Sequence, residues 1–354
     1  MHVLWKQIPF FRNRRKLVPS NSFGGRNSIT MTKRFNLVVV GNLTIDSIVF
    51  DGDQRLEMGG PPAYAMVAPA LGAENVGIVS NVGSDFPKSY LSQLTDAGLD
   101  ISGVAHRKDT TQFVNKYKKD GTRTQEVPSI GQDITMTDIP AHFWDSQWMH
   151  ISPVLQEVES SIITRAKQTG AYVSVDVQGF VRKRTSEQDY SISPSQWQSF
   201  PDVAKDIDVL KADIDEICHL TQETSFEKGA EVAHEMGCDL VLITRGQEGS
   251  FLYSNDELHK IPALPPDIIV DHTGSGDVYA ISFSIEFLRT MRPLWSAFFA
   301  SSSASFNVET PGPTNFPSSE EVTHRLRAFL SGSAQQRNVE RLLNETGPFD
   351  CPLK

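Results

Sequence analysis

Seven residues, Asp271-His272-Thr273-Gly274-Ser275-Gly276-Asp277, bring together features that could do chemistry. Small residues at 274, 275 and 276 let the backbone come close to a ligand. A segment of helical character, Val278-Tyr279-Ala280-Ile281-Ser282-Phe283, follows directly. N–H groups at that helix start would point at an anion, which the helix dipole also favours. Asp277 sets a carboxylate beside the anion, from which anion binding alone would gain nothing. The combination makes sense if the acid takes a proton from a hydroxyl that attacks the anion. That is phosphoryl transfer, with the backbone of Gly274, Ser275 and Gly276 as anion hole and Asp277 as general base.

Other elements must carry this loop. The extended apolar run Ile268-Ile269-Val270 leads into it, and helices over 276–290 and 294–308 follow. Residues 36–41, 76–80, 148–152, 172–176, 209–211 and 240–244 read as strands, mostly short apolar runs of the kind a buried parallel sheet contains. Helical patterns over 63–71, 85–97 and 156–169 are interspersed with them, and a last amphipathic helix covers 318–330. This βα rhythm predicts an α/β fold with a doubly wound, mostly parallel central sheet flanked by helices. Residues 45–50 form a further strand, ending at the turn Asp51-Gly52-Asp53. Residues 104–127 change texture, with alternating runs at 111–117 and 122–127 about the turn Asp120-Gly121, which predicts a hairpin serving as a small β lid. The polar stretch 185–199 reads as an exposed insertion.

At 354 residues the chain can bury a substantial core, and its net charge of −10 argues against nucleic acid as the main partner. No apolar run approaches about 18 residues, so no membrane span is expected. Cys218, Cys238 and Cys351 are far apart and odd in number, which fits a reducing compartment rather than a disulfide framework or a zinc site. Residues 1–30 hold six Lys/Arg and no acid, as a mitochondrial transit peptide would, but Met31-Thr32-Lys33 reads as a start just before the first strand. The expectation is a leader over 1–33, a catalytic domain over 34–331 and a weakly patterned tail over 332–354. A cytoplasmic protein is expected, with a mitochondrial address as the alternative.

Rival nucleotide-site and nucleophile motifs are missing: no GxxxxGK(S/T) loop, no GxGxxG in the first βα turn, no GxSxG elbow. With Asp277 attached, D-x-T-G-S-G-D resembles the C-terminal signature of the ribokinase (PfkB) family of sugar and nucleoside kinases. Further marks occur in the family's order over 35–330. Gly59-Gly60 before an Ala-rich helix, with Val82-Gly83-Ser84-Asp85 beyond it, resembles the N-terminal signature, and implies that Asp46, Gly59 and Gly60 hold substrate hydroxyls. Lys211-Ala212-Asp213-Ile214-Asp215-Glu216 resembles the family's N-x-x-E element with Asp replacing Asn. It implies Mg2+ near Glu216 and Asp213, held through water, with the two carboxylates expected on one helix face. Thr244-Arg245-Gly246-Gln247-Glu248-Gly249 resembles T-x-G-x-x-G, which gives Thr244, Gly246 and Gly249 to the nucleotide. The stretch 300–308, containing Asn307, resembles the helix lining the adenine pocket. Asp176-Val177-Gln178-Gly179-Phe180-Val181-Arg182 is similar to the form found in inositol kinases of the family, with Arg182 pairing a phosphate. A monovalent cation such as K+ near Asp271 and Thr273 is implied in the same way.

Two features separate the chain from many sugar kinases. Tyr64 stands where those have Asn, and the first lid segment, 47–58, is short. Both lean, by resemblance, toward a cyclitol such as myo-inositol. The expected protein is an ATP- and Mg2+-dependent kinase acting on a hydroxyl of a small polyol or sugar, with Tyr64 in the acceptor pocket. It would be a monomer or homodimer without nucleic-acid or membrane partners. Two alternatives stay open: a nucleoside (adenosine-like) kinase, and a non-catalytic ribokinase-like regulatory protein.

Overall fold

A computed structural model describes residues 35–117 and 123–332. The expected leader, the Asp120-Gly121 turn, Cys351 and the tail beyond 332 lie outside the described residues. In chain order the strands are β1 (Phe35–Val40), β2 (Thr44–Phe50), β3 (Asp53–Gly59), β4 (Val76–Val82), β5 (Leu99–His106), β6 (Thr111–Tyr117), β7 (Arg123–Ser129), β8 (Ser146–Ile151), β9 (Tyr172–Asp176), β10 (Arg182–Arg184), β11 (Ile192–Pro194), β12 (Val209–Asp213), β13 (Leu240–Thr244), β14 (Ser250–Ser254) and β15 (Glu257–Ile261). The α-helices are α1 (Pro61–Tyr64), α2 (Val67–Ala70), α3 (Lys88–Asp96), α4 (Ser161–Gln168), α5 (Phe200–Val203), α6 (Ile214–Thr221), α7 (Phe226–Glu235), α8 (Ser275–Thr290), α9 (Pro293–Asn307) and α10 (Ser319–Gly332).

Nine strands make the central sheet, in the order β15-β14-β13-β12-β9-β8-β1-β4-β5. From β13 to β5 every neighbour is parallel, and β14 and β15 add an antiparallel edge. From β1 the chain first winds outward through β4 and β5, then returns and winds the other way from β8. The switch lies at the carboxyl ends of β1 and β8, where open α/β sheets leave a crevice. Successive residues of β1 enter opposite cores, Leu37 joining Phe283 and Trp148 on one face and Val38 joining Met149 and Ile163 on the other. Both faces are covered, so these strands are apolar throughout rather than alternating. Helices α8 and α9 are buried on most sides and correspondingly apolar nearly all round.

The lid is larger than a hairpin. A second sheet runs β3-β2-β6-β7, with β2 parallel to β6 and the outer pairs antiparallel. Residues 99–106, partly expected in the lid, belong to the central sheet as β5. The segment 47–58, expected to be short, supplies half of the lid: β2 and β3 pair all the way from Thr44↔Gly59 to Phe50↔Asp53. Edge strand β3 is polar and largely exposed, so it carries no apolar alternation to read. The expected helix over 63–71 divides into α1 and α2, because Pro69 has no N–H to donate to Ala65. The β14–β15 hairpin has no counterpart in the sequence expectations. Its tight turn sets Asn255 and Asp256 at φ 50° and 61°, the paired left-handed geometry such hairpins use. The apolar run 268–270 is an exposed loop, in which Val270 N and Asp271 N both donate to Val308 O.

Candidate active site

Parallel register sets the site at one sheet edge: Lys211 pairs with Asp176 across β12 and β9, and Asp213 with Thr244 across β12 and β13. The first turn of α8 lies over this edge. Its N-cap is Gly274, with no side-chain cap on the helix start. Gly274 has φ 74°, and a Cβ there would lie 1.9 Å from Tyr64 Cζ, so the phenol ring rests on the loop and only glycine fits.

Asp277 lies in that first turn. Burial, and then the Asp176 carboxylate, push its pKa up to about 7, against Lys211, Arg182 and a Gln178 Nε2 that donates to Oδ1 at 3.4 Å. A carboxyl poised near neutrality suits a general base working there. Beneath the loop, Lys211 Nζ donates to Asp176 Oδ2 at 2.8 Å, and both side chains are buried. Burial alone would lower the lysine pKa, but Asp176, Glu216 and Asp277 more than offset it and keep the ammonium charged.

At the other end of the cleft Asp46 Oδ1 accepts from Thr44 Oγ1 at 2.6 Å. Asp46 Oδ2 lies 2.5 Å from where a Gly59 Cβ would be, and a Cβ on Gly60 (φ 83°) would meet Asn42 O at 2.2 Å. The Gly-Gly backbone and the carboxylate thus form one continuous surface. Between the two ends stands Tyr64, buried, its pKa raised well above normal by burial and then by Asp277, Asp46, Asp271 and Glu57. It keeps its proton and offers an O–H donor among those acids. Arg182 Nε donates to Val154 O at 2.8 Å, with the guanidinium 5.8 Å from the Phe113 ring centre. The face of Phe113, on lid strand β6, is therefore covered.

Asp213 and Glu216 differ from expectation. Asp213 precedes α6 as its N-cap, so the pair does not share a helix face. Asp213 Oδ1 accepts from Glu216 N and Glu216 Oε2 accepts from Asp213 N, both at 2.7 Å, a reciprocal capping box. Burial first, with Asp176 and Asp213 adding to it and Lys211 opposing, lifts the Glu216 pKa to about 7. Among the described residues no cluster of three or more His, Cys, Asp or Glu is arranged to hold a metal ion. The excess of carboxylates over cations here still fits Mg2+ held partly through water, as that ion accepts.

Thr244 ends β13, its Oγ1 donating to Ala212 O at 3.4 Å. Gly246 (φ 52°) and Gly249 (φ 97°) bracket one 3-10 turn beyond it. Asn307, the last residue of α9, donates from Nδ2 to Thr273 O at 2.9 Å and so fixes the anion loop, while its buried Oδ1 has no partner. Asp271 is also committed, Oδ1 accepting from Thr273 N at 2.9 Å and Oδ2 from Arg55 Nη2 at 3.1 Å. Arg55 Nε reaches Glu57 Oε1 at 2.6 Å. A lid guanidinium thus reaches the carboxylate near which the resemblance implies a monovalent cation.

Four contributors were absent from the sequence-derived site set, Asp176, the last residue of β9, among them. Lys211 had a signal, a charge inside the buried strand Val209-Leu210-Lys211-Ala212. Gln178 stands two residues beyond the end of β9. Arg55 had none, since its contact spans 216 residues of chain.

A doubly wound sheet, a glycine anion loop with an acid at a helix start, and a β lid over the cleft together define a ribokinase-like kinase architecture. The chain belongs to the pfkB family of carbohydrate kinases, whose pattern matches residues 34–321. It is 31% identical to a cytidine kinase of Thermococcus kodakarensis over 264 residues, 73% of this chain and 90% of that one. It is 27% identical to a nucleoside kinase of Methanothermobacter thermautotrophicus over 317 residues, 84% and 97% of the two chains. Among solved structures it is similar, at TM-score 0.68 and 21% identity over 81% of this chain and 99% of the other, to a pyrophosphate-dependent kinase in the ribokinase family complexed with a pyrophosphate analog and myo-inositol. No helix among the described residues is long and apolar enough to cross a membrane.

Proposed function

We propose that this chain transfers a phosphoryl group from ATP to a hydroxyl of a small ring polyol, a sugar or cyclitol. One observation carries the reading: the buried Tyr64 ring packs on Gly274 of the anion loop, and both Asp277 of that loop and Asp46 of the Gly59 surface act on its phenol. An acceptor on the Gly59-Gly60 backbone has its hydroxyls held by Asp46 and oriented by the Tyr64 O–H. Asp277 takes the proton of the attacking hydroxyl. As the new P–O bond forms and the bond to the donor breaks, charge on the phosphoryl oxygens meets the N–H groups of 274–277. Thr244, Gly246, Gly249 and Asn307 frame the donor end, and Arg182 serves the phosphates beside the base. Mg2+, with Glu216 and Asp213 on its water side, supplies charge neutralisation to the donor phosphates when bound. The lid excludes water. Arg55 takes the counter-charge role at Asp271, so this reading needs no K+.

The covered face of Phe113 favours a polyol over a base that would stack there. A second reading, phosphorylation of the ribose of a nucleoside, is favoured by the 31% identity to a cytidine kinase. ATP consumption against inositols, hexoses, pentoses and nucleosides separates them. The expected result is the highest kcat/KM on a ring polyol. Preference for a nucleoside by about tenfold, some 1.4 kcal/mol in the transition state, would reassign the acceptor. No turnover across the panel, with MgATP binding intact, would overturn the catalytic reading.

A further inference from the structure

The two glycines of the anion loop have different reasons to be glycine. Gly274 is fixed by its left-handed φ and by the Tyr64 ring. Gly276 has ordinary helical backbone, so its conformation asks for nothing special. The one group a Cβ at 276 would meet is the side chain of Lys211, with Nζ at 3.2 Å and Cε at 3.7 Å. The bare backbone at 276 therefore lets a buried ammonium come up against the floor of the loop. Lys211 Nζ spends one hydrogen bond on Asp176, at 2.8 Å, and an ammonium has three to give. A buried ion pair is a weak source of stability compared with apolar packing, so stability alone gives little reason for it at this position. Lys211 also lies two residues before Asp213, which ends the strand, and directly under the first turn of α8.

We propose that Lys211 is a catalytic residue of the kinase reaction, donating from Nζ past Gly276 to a non-bridging oxygen of the transferring phosphoryl group. This rests on the kinase reading above and adds to it the cation of the anion hole. In the step itself, the acceptor oxygen bonds to phosphorus and its proton goes to Asp277. The donor's terminal P–O bond breaks, and its electron pair leaves with ADP. Lys211 transfers no proton; its charge and hydrogen bond follow the phosphoryl oxygens as they gain negative charge. Asp176 holds the ammonium in place between turnovers and is a positioning residue.

The competing explanation is that Lys211 is only the counter-ion of Asp176. Two variants separate these: Lys211→Met, and Lys211→Met/Asp176→Asn, which removes both charges of the pair together. If Lys211 is only a counter-ion, the double variant restores both folding and rate. If it contacts the phosphoryl group, the double variant restores the thermal melt and still loses about 10²–10³ in kcat, the usual cost of one such donor, with acceptor KM nearly unchanged. Calorimetry with magnesium tripolyphosphate and with adenosine gives a readout without turnover. The double variant should lose at least about tenfold in tripolyphosphate affinity, the cost of one charge-assisted hydrogen bond, and keep adenosine affinity. A double variant with kcat within about threefold of wild type, or a parallel fall in both affinities, overturns the proposal. With myo-inositol and cytidine as acceptors, a wild type inactive on both would count against the acceptor reading, while the binding split still decides the role of Lys211.

Discussion

At the scale of single residues, Asp277 has two opposed properties that follow from one cause. Burial lifts its pKa to about 7 from 3.8, which would suit it as the proposed base and leaves a poorly solvated charge above neutrality. The folded state therefore holds this proton more tightly than the unfolded chain. The stability it contributes is complete below the unfolded value and is lost as pH rises through the folded one. Asp277→Asn should lower kcat by about 10²–10⁴ while leaving MgATP affinity in place. The same variant should melt higher than wild type, by a margin that grows from pH 5 to pH 7 and levels off above. For the wild type, kcat/KM should rise with pH and reach half its plateau near 7. Melting curves and rate profiles across pH 5–9 check both; equal melting at pH 8 would mean the carboxyl is not desolvated. Asp277 was legible in the sequence because its chemistry is contiguous, glycines and acid on one helix start. Lys211 was less so, because its meaning depends on which loop β12 ends beneath.

Secondary-structure elements explain what else was legible. Buried parallel strands announce themselves as apolar runs, so the sheet from β1 to β13 could be read directly, except for β5 (Leu99–His106), which is amphipathic and only half buried. Edge strand β3 could not, being polar and exposed, and one strand of the four-stranded lid went unread with it. Yet β3 carries Arg55, which ties the lid to Asp271 at the start of the anion loop. In the proposed reaction this contact would couple the element covering the acceptor to the element holding the donor. Arg55 is about half exposed, so the pair is screened and worth at most about 1 kcal/mol. Arg55→Met should accordingly raise acceptor KM by about fivefold or less at low salt, with kcat and Tm nearly unchanged. The difference from wild type should close above about 0.5 M NaCl, where wild type loses the same attraction. Identical KM values at low salt would mean that the lid does not act through this contact.

For the whole molecule, the order of motifs along the chain was sufficient for the fold, because those at 176–182, 213–216 and 244–249 lie at the carboxyl ends of β9, β12 and β13, strands whose places are fixed by winding. Charge is the property that only the assembled molecule shows. The chain carries −10 overall, and the crevice gathers Asp176, Asp213, Glu216 and Asp277 about Lys211 and Arg182. Even with Asp277 and Glu216 only about half ionised at neutral pH, the carboxylates outweigh the two cations and repel the phosphates of free ATP. The glycine loop and helix dipole offset only part of this, since helix-end interactions are worth about 0.3–1 kcal/mol. A divalent cation arriving with the nucleotide reverses the balance. ATP with Mg2+ should therefore raise Tm by several degrees, since a ligand at 100 times its Kd contributes about 2.7 kcal/mol. Adding EDTA in excess should remove most of that shift. Adenosine, which carries no phosphate, should give a smaller shift that EDTA leaves alone. Replacing Mg2+ by NaCl of equal ionic strength should not restore the ATP shift, because screening weakens repulsion without bridging phosphate to carboxylate. An ATP-induced shift of the same size with and without Mg2+ would show that the protein's own cations suffice, and that the carboxylates at the ends of β9 and β12 do not face the phosphates.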